Sequence, residues 1–241
     1  MIPKTIHYCW FGGKPLPGLA TRCIASWKKY CPDYKIIEWN ESNFDVSIND
    51  YMNEAYIAKK WAFVSDYFRL WVLFHYGGIY MDTDVEVLRP IDVFLTEKAF
   101  SGFESINYVP TGIMAAEVGL PVYKELLDLY RDRHFVNKIG MYDYTTNVRI
   151  ITDFFQKRGL LLNNQKQVVQ NITFYPNDYF CPKIWKTKEV ILTKNSYTIH
   201  HFEGSWLSKL SIMKRVFRKL IGDKTVDYLK RFLINKSFKI L

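Results

Sequence analysis

Residues 62 to 88, AFVSDYFRLWVLFHYGGIYMDTDVEVL, constrain the fold more than any other stretch. Ala62 to Tyr76 carries a heavy apolar load and reads as a helix, which Gly77-Gly78 stops. Ile79 to Met81 reads as a short buried strand, with Asp82-Thr83-Asp84 at its exit and Val85 to Leu88 continuing extended. A helix, a glycine stop, an apolar strand and acids at the strand end form one unit of an α/β sheet. Sheets of that kind bind ligands beyond the carboxyl ends of their strands. Asp66 and Arg69 stand three apart on the helix and share a face.

The flanking sequence continues the alternation. Thr5 to Phe11 reads as a buried strand, broken by Gly12-Gly13, Pro15 and Pro17. Leu19 to Tyr30 reads as a helix, Tyr34 to Trp39 as a second strand and Asn49 to Lys60 as a helix. Downstream, Ala99 to Glu104 and Ile113 to Ala116 are expected strands, and Pro121 to Arg133 and Thr145 to Arg158 are expected helices. Val168 to Tyr175 and Glu189 to Leu192 are strand-like, and Thr198 to Phe202 is a last strand that delivers His200 and His201. The expected fold class is α/β, a Rossmann-like mixed sheet flanked by helices, forming one domain over 1–206.

The remaining stretch, 207–241, differs in charge. The chain has 241 residues and a net charge of +9. Ten Lys/Arg against Asp223 and Asp227 put +8 of that in 207–241, so the body is near neutral. Leu207, Leu210, Met213, Val216, Phe217, Leu220 and Ile221 recur at helical spacing, with Arg215, Arg218 and Lys219 on the other face. Gly222-Asp223 reads as a stop and a new cap, and Val226, Leu229, Phe232 and Leu233 begin a second amphipathic helix. A basic helical appendage of this kind fits an anionic membrane surface. No basic stripe continues onto the body, so no nucleic acid is expected as a partner.

The longest uncharged run is too short to span a bilayer, and MIPKTIHYCWFGG lacks the layout of a signal peptide. Cys9, Cys23, Cys31 and Cys181 form no CxxC pair and read as reduced thiols. The expected location is cytoplasmic, peripheral on the inner face of the cell membrane.

In a strand, side chains at i and i+2 point the same way, so Asp82 and Asp84 are expected to face one side together. Two close carboxylates repel unless a cation sits near them, and Mn²⁺ or Mg²⁺ suits such oxygen ligands. A calcium loop of the EF-hand kind needs Gly and Glu where Val87 and Val93 stand. A haloacid dehalogenase-like phosphatase, with Asp82 as nucleophile, is opposed by Glu86 at the fifth place. A non-catalytic carbohydrate- or membrane-binding module has no need of these residues in this order.

The string from Ala62 to Val85 resembles the signature of the DXD-containing sugar transferases: an S-D-x-x-R helix, a G-G-x-Y turn and D-x-D. IPKTIHYCWFGG is similar to the opening of glycosyltransferase family 32, which includes yeast Golgi mannosyltransferases and bacterial capsular-polysaccharide transferases. The glucosylating clostridial toxins carry a related pattern. The likeness is strong from Ile2 to about Leu88 and returns weakly at Gly102 to Glu104, Ile113 to Ala116 and His201 to Trp206.

The resemblance implies a GT-A type fold and a retaining transfer of a hexose from a nucleotide-sugar, most often UDP-linked, to a glycan or lipid-linked glycan in surface polysaccharide synthesis. It implies Asp84 as the main metal ligand and Asp82 as a metal or ribose contact. Asp66 would hold sugar hydroxyls or ribose, Arg69 would steady phosphate or sugar, and Ser65 would assist. Trp10 is implied as the residue that stacks on the base, with Tyr80 as a second candidate. HHFEGSW, His200 to Trp206, resembles the C-terminal H-x-x-G…W element, which implies His201 on the metal, with His200 as the alternative, and Ser205 and Trp206 on the donor phosphates. The chain departs from the family at Thr146-Asn147-Val148, which leaves Asn147 and Asp143 as candidates for the pocket wall.

Overall fold

The computed structural model describes residues 1–109 and 112–203. Contacts divide the chain into two units, 1–203 and 204–241, and the basic appendage, Ser205 and Trp206 lie outside the described residues.

Within 1–203, β1 (Thr5–Cys9), α1 (Gly18–Tyr30), β2 (Lys35–Trp39), α2 (Asp50–Ile57), α3 (Trp61–Tyr76), β3 (Gly78–Met81) and β4 (Val85–Val87) follow in order. Then come β5 (Ala99–Gly102), β6 (Ile113–Ala116), α4 (Pro121–Asp128), α5 (Asn147–Gln156), β7 (Gln167–Val169), β8 (Ile172–Tyr175), α6 (Asn177–Phe180) and β9 (Thr198–His200). Seven strands form one mixed sheet in the order β2-β1-β3-β6-β5-β8-β7, while β4 and β9 pair antiparallel as a separate ribbon. Strands β1, β2 and β3 are parallel, β6 runs against β3 and β5, and β8 is parallel to β5. The carboxyl ends of β1, β3 and β5 therefore share one edge. This is the α/β, helix-flanked mixed sheet that the sequence implies.

Strand alternation sorts the apolar residues into two cores, one on each face of the sheet. Ile79 and Met81 of β3, with Ile113 and Ala115 of β6, join Cys23 and Trp27 of α1. Tyr80, Met114 and Ala116 join Phe68 and Val72 of α3 on the other face. Gly77 and Gly78 are needed where α3 turns into β3, with φ of +63° and +83°. A Cβ at Gly78 would lie 2.6 Å from the Thr5 carbonyl oxygen of β1.

Three segments depart from expectation. Val168 to Tyr175 is two strands, because Gln170 and Asn171 take φ of +51° and +63° and make a hairpin. Glu189 to Leu192 is no strand; Val190, Ile191 and Leu192 are exposed, and a single bridge joins Val190 to Lys183. The α4 helix ends at Asp128, short of Arg133.

The four cysteines are free and buried. No described helix is long and apolar enough to cross a membrane.

Candidate active site

Asp82 and Asp84 sit beyond β3 in a tight turn, closed by Val85 N–H donating to the Asp82 carbonyl at 3.0 Å. The i, i+2 relation holds for Tyr80 and Asp82 instead. Both project to the α3 side of the sheet, and the Tyr80 hydroxyl donates to Asp82 Oδ1 at 2.9 Å. Arg69 reaches the same carboxylate from α3, with Nη2 at 3.1 Å from Oδ1 and Nη1 at 3.4 Å from Oδ2. Arg69 also donates through Nε and Nη2 to the carbonyl and hydroxyl of Ser65, both at 3.1 Å, and lies over the Tyr80 ring.

Asp66 is almost fully buried beside them. Its Oδ2 accepts from the Asn147 backbone N–H at 3.2 Å, and Oδ1 is 3.5 Å from Arg69 Nη2. The Asn147 side chain bonds the Asp66 carbonyl and the Tyr130 hydroxyl. Burial pushes the Asp66 carboxyl up to about 6 against the opposing pull of Arg69. Burial raises Asp82 as well, again opposed by Arg69. The guanidinium is buried between the two acids, and their charge holds it protonated against its own burial.

The Asp84 carboxylate has different partners. The β4–β9 ribbon sets Val85 opposite His200, and the chain after β9 returns His201 N–H to the Asp84 carbonyl and Glu203 N–H to Asp84 Oδ2, both at 2.9 Å. His200 Nε2 is 3.3 Å from Asp84 Oδ1. Burial pushes the Asp84 carboxyl up, but His200 and the Glu203 N–H outweigh it and hold it well below the usual carboxylate range. Trp27 of α1 donates to the Val85 carbonyl and Ser26 accepts from Val87 N–H, which fixes the strand leaving the turn.

One atom each from Asp82, Asp84 and His200 converges within 4.8 Å. Two carboxylates and an imidazole suit a divalent ion such as Mn²⁺. His200 Nδ1 is buried without a hydrogen-bond partner, so the ring has one nitrogen on Asp84 and a second polar atom to satisfy. The residues therefore fit a metal. Both oxygens of each acid have protein partners, Arg69 for Asp82, and His200 with the Glu203 N–H for Asp84. Gly112 completes the corner: its carbonyl accepts from Asp82 N–H, and a Cβ there would lie 2.9 Å from His200 Nδ1.

Two expectations are corrected. His201 does not join the corner; its Nε2 is 2.8 Å from Glu86 Oε2, because adjacent residues in a ribbon point to opposite faces. Tyr80 is 1% exposed and has no free face for stacking; it holds Asp82 and underlies Arg69. Trp10 is partly exposed at the exit of β1, with its indole N–H on the Lys14 carbonyl. Asp143 pairs with Arg133 and stands in no contact with Asp82 or Asp84. A surface cavity of about 660 Å³, lined by Trp39, Trp71, Tyr76 and Arg131 among others, contains none of these site residues.

Residues 17–101 match the family described as the glycosyltransferase sugar-binding region containing DXD motif. An inositol phosphoceramide mannosyltransferase 1 of Schizosaccharomyces pombe is 31% identical over 146 residues, which covers 55% of this chain and 44% of that protein. The chain thus spans less than half the length of that curated relative. Among solved structures, the PaToxG glycosyltransferase aligns over 53% of this chain and 60% of its own, with 21% identity and a TM-score of 0.46. A glycosyltransferase involved in the glycosylation of the major capsid of PBCV-1 aligns over 82% and 93%, with 10% identity and a TM-score of 0.46. The family match runs from the start of α1 to β5 and encloses Ser65, Asp66, Arg69, Asp82 and Asp84. This chain carries a DXD-containing glycosyltransferase sugar-binding region.

Proposed function

We propose that the protein is a metal-dependent, retaining glycosyltransferase. It moves a hexose from a nucleotide-sugar, UDP-linked by preference, to a glycan or lipid-linked glycan in bacterial surface polysaccharide synthesis. The observation that carries this reading is the convergence of Asp82 and Asp84, both inside the matched DXD region, with His200 in front of the buried Arg69. Support for a lipid-borne acceptor comes from the relative named for inositol phosphoceramide and mannose, which also adds a nucleotide-linked mannose to the donors to try.

A bound Mn²⁺ or Mg²⁺ would neutralise charge on the departing diphosphate. Asp84, Asp82 and His200 would hold it. Arg69 and Tyr80 fix the Asp82 carboxylate, and Ser65 fixes Arg69, so the ligands are oriented before substrate arrives. Trp10 stacks on the base. In the transfer, the acceptor oxygen forms a bond to the anomeric carbon as the bond to the diphosphate oxygen breaks on the same face. The acceptor's proton passes to the departing phosphate oxygen, so no separate base is required.

The 207–241 appendage, with ten basic residues against two acids, would bring the site to an anionic bilayer on the cytoplasmic side. Loss of vesicle co-sedimentation on deleting 207–241 is expected; unchanged binding would remove the membrane from this account.

The test of the activity is a panel of UDP- and GDP-sugars with Mn²⁺, reading released nucleotide and the anomeric configuration of the product. Release from one donor, abolished by EDTA, with the donor's configuration retained, is expected. An inverted product would discard the same-face displacement, and no release from any donor would discard the activity.

A further inference from the structure

The resemblance gives the sugar-holding carboxylate to Asp66, but Asp66 is 8% exposed and both its oxygens are engaged, by Asn147 N–H and by Arg69. A second acid stands along the same sheet edge. Glu104 lies two residues past β5, whose register against β6 pairs Ala99 with Ala116 and Phe100 with Ala115. Continued, that register sets Phe103 level with Gly112, the residue whose carbonyl accepts from Asp82 N–H. The Ser101 hydroxyl, 3.0 Å from the Ile113 carbonyl, ties β5 to β6 just before that point. Asp82 and Glu104 therefore leave the carboxyl edge of the sheet on strands two places apart, about 10 Å by strand spacing.

The Glu104 backbone is fixed by its N–H on the Tyr108 carbonyl at 2.9 Å, which closes the 104–108 turn. Its side chain is only partly exposed, yet its carboxylate makes no hydrogen bond or contact ion pair among the described residues. Burial pushes its carboxyl up; His200 and Lys188 pull it down and Asp82 pushes it up, so it lies within the field of the metal corner. Lys188 approaches the same corner, with Nζ 3.4 Å from the Phe202 carbonyl and over the Trp185 ring. Its oxygens are not among the fully buried polar atoms, so a ligand can reach them.

The order along the edge then follows the order of a nucleotide-sugar: Trp10 at the exit of β1, Asp82 and Asp84 at β3, and Glu104 at β5. Resting on the proposed transferase reading, we infer that Glu104 is a substrate-binding residue whose carboxylate accepts hydrogen bonds from hydroxyls of the transferred sugar. It sets which sugar is held beside the diphosphate.

The test compares Glu104→Gln and Glu104→Ala with the wild type, using the full chain and Mn²⁺. Two affinities are measured: for UDP and GDP alone, and for UDP-glucose, UDP-galactose and GDP-mannose. The KM for donor hydrolysis is followed in parallel. Retained nucleotide affinity, with about tenfold or greater weakening toward the intact nucleotide-sugar and a matching rise in KM, is expected from losing a charged hydrogen bond. Unchanged nucleotide-sugar affinity in both variants would overturn the role of Glu104 and leave the transferase reading standing. Equal loss toward plain UDP or GDP would also overturn it, by assigning Glu104 to the metal corner or to folding. A wild type that binds none of the probes would overturn the transferase reading and this inference together.

Discussion

Arg69 Nη2 lies 3.1 Å from Asp82 Oδ1, and the guanidinium is the more deeply buried partner, at 4% side-chain exposure against 23%. A helix residue thus aims a strand-end acid at the solvent edge where a cation and a diphosphate can reach it. The same guanidinium compensates Asp66, so one charge serves two carboxylates.

Replacing Arg69 is therefore expected to be severe. Arg69→Ala leaves the buried Asp66 and the partly buried Asp82 without their cation and should cost about 3 kcal/mol in urea unfolding. Arg69→Lys keeps the charge but loses the planar fork that meets both Asp82 oxygens, so it should fold better than Ala yet still lose donor hydrolysis. Full activity in the Lys variant would show that the bidentate contact is dispensable.

Gly112→Ala tests the packing of the metal corner apart from its charges. The added Cβ would meet the His200 ring at 2.9 Å from Nδ1, and no positive φ is involved. The ring must turn away from Asp84, which should weaken Mn²⁺ binding roughly tenfold, the scale on which displaced supporting groups weaken a metal site. Unfolding midpoints should change little by comparison; an unaltered Mn²⁺ affinity would contradict a ligand role for the ring.

His7 should make the fold sensitive to acid. It is 1% exposed on β1, and its Nδ1 accepts from Trp39 Nε1 at 3.1 Å, so the neutral ring carries its proton on Nε2. Burial lowers its pKa from 6.5 to about 4. A base depressed in the folded state contributes stability that is present above pH 6.5 and lost as pH falls toward 4. The loss is on the order of 3 kcal/mol across that window. His7→Asn keeps a hydrogen-bond acceptor and removes the titration. Urea unfolding at pH 7 and pH 4.5 should show a smaller difference for the variant than for the wild type; equal differences would assign the acid sensitivity elsewhere.

Much of this is legible in local sequence. The apolar load of α3, the Gly77-Gly78 stop and the short run into Asp82 specify the right elements in the right order, and Asp66, Arg69, Asp82 and Asp84 do come together. What local sequence does not carry is register. Whether His200 or His201 turns inward depends on how β9 pairs with β4, two segments more than a hundred residues apart, and a one-residue choice flips the ring to the other face. The carboxylates converge through a turn, so strand periodicity explains the wrong pair: it joins Tyr80 to Asp82. Glu104 falls in the Gly102 to Glu104 stretch where the resemblance returns, but its place along the site edge comes from strand order, β3-β6-β5, which no spacing along the chain announces. The hairpin at Gln170-Asn171 reads as one strand because neither residue is the glycine that a left-handed turn usually demands.

Mn²⁺ binding by the full chain, read as the loss of the free-ion electron paramagnetic resonance signal with and without UDP or GDP, tests the central claim most directly. Wild type, Asp84→Asn, His200→Ala and His201→Ala are compared. The account predicts binding that nucleotide strengthens, lost in Asp84→Asn, weakened in His200→Ala and unchanged in His201→Ala, whose ring meets the half-exposed Glu86 instead. Loss in His201→Ala with binding intact in His200→Ala, or full Mn²⁺ affinity in Asp84→Asn, would contradict it.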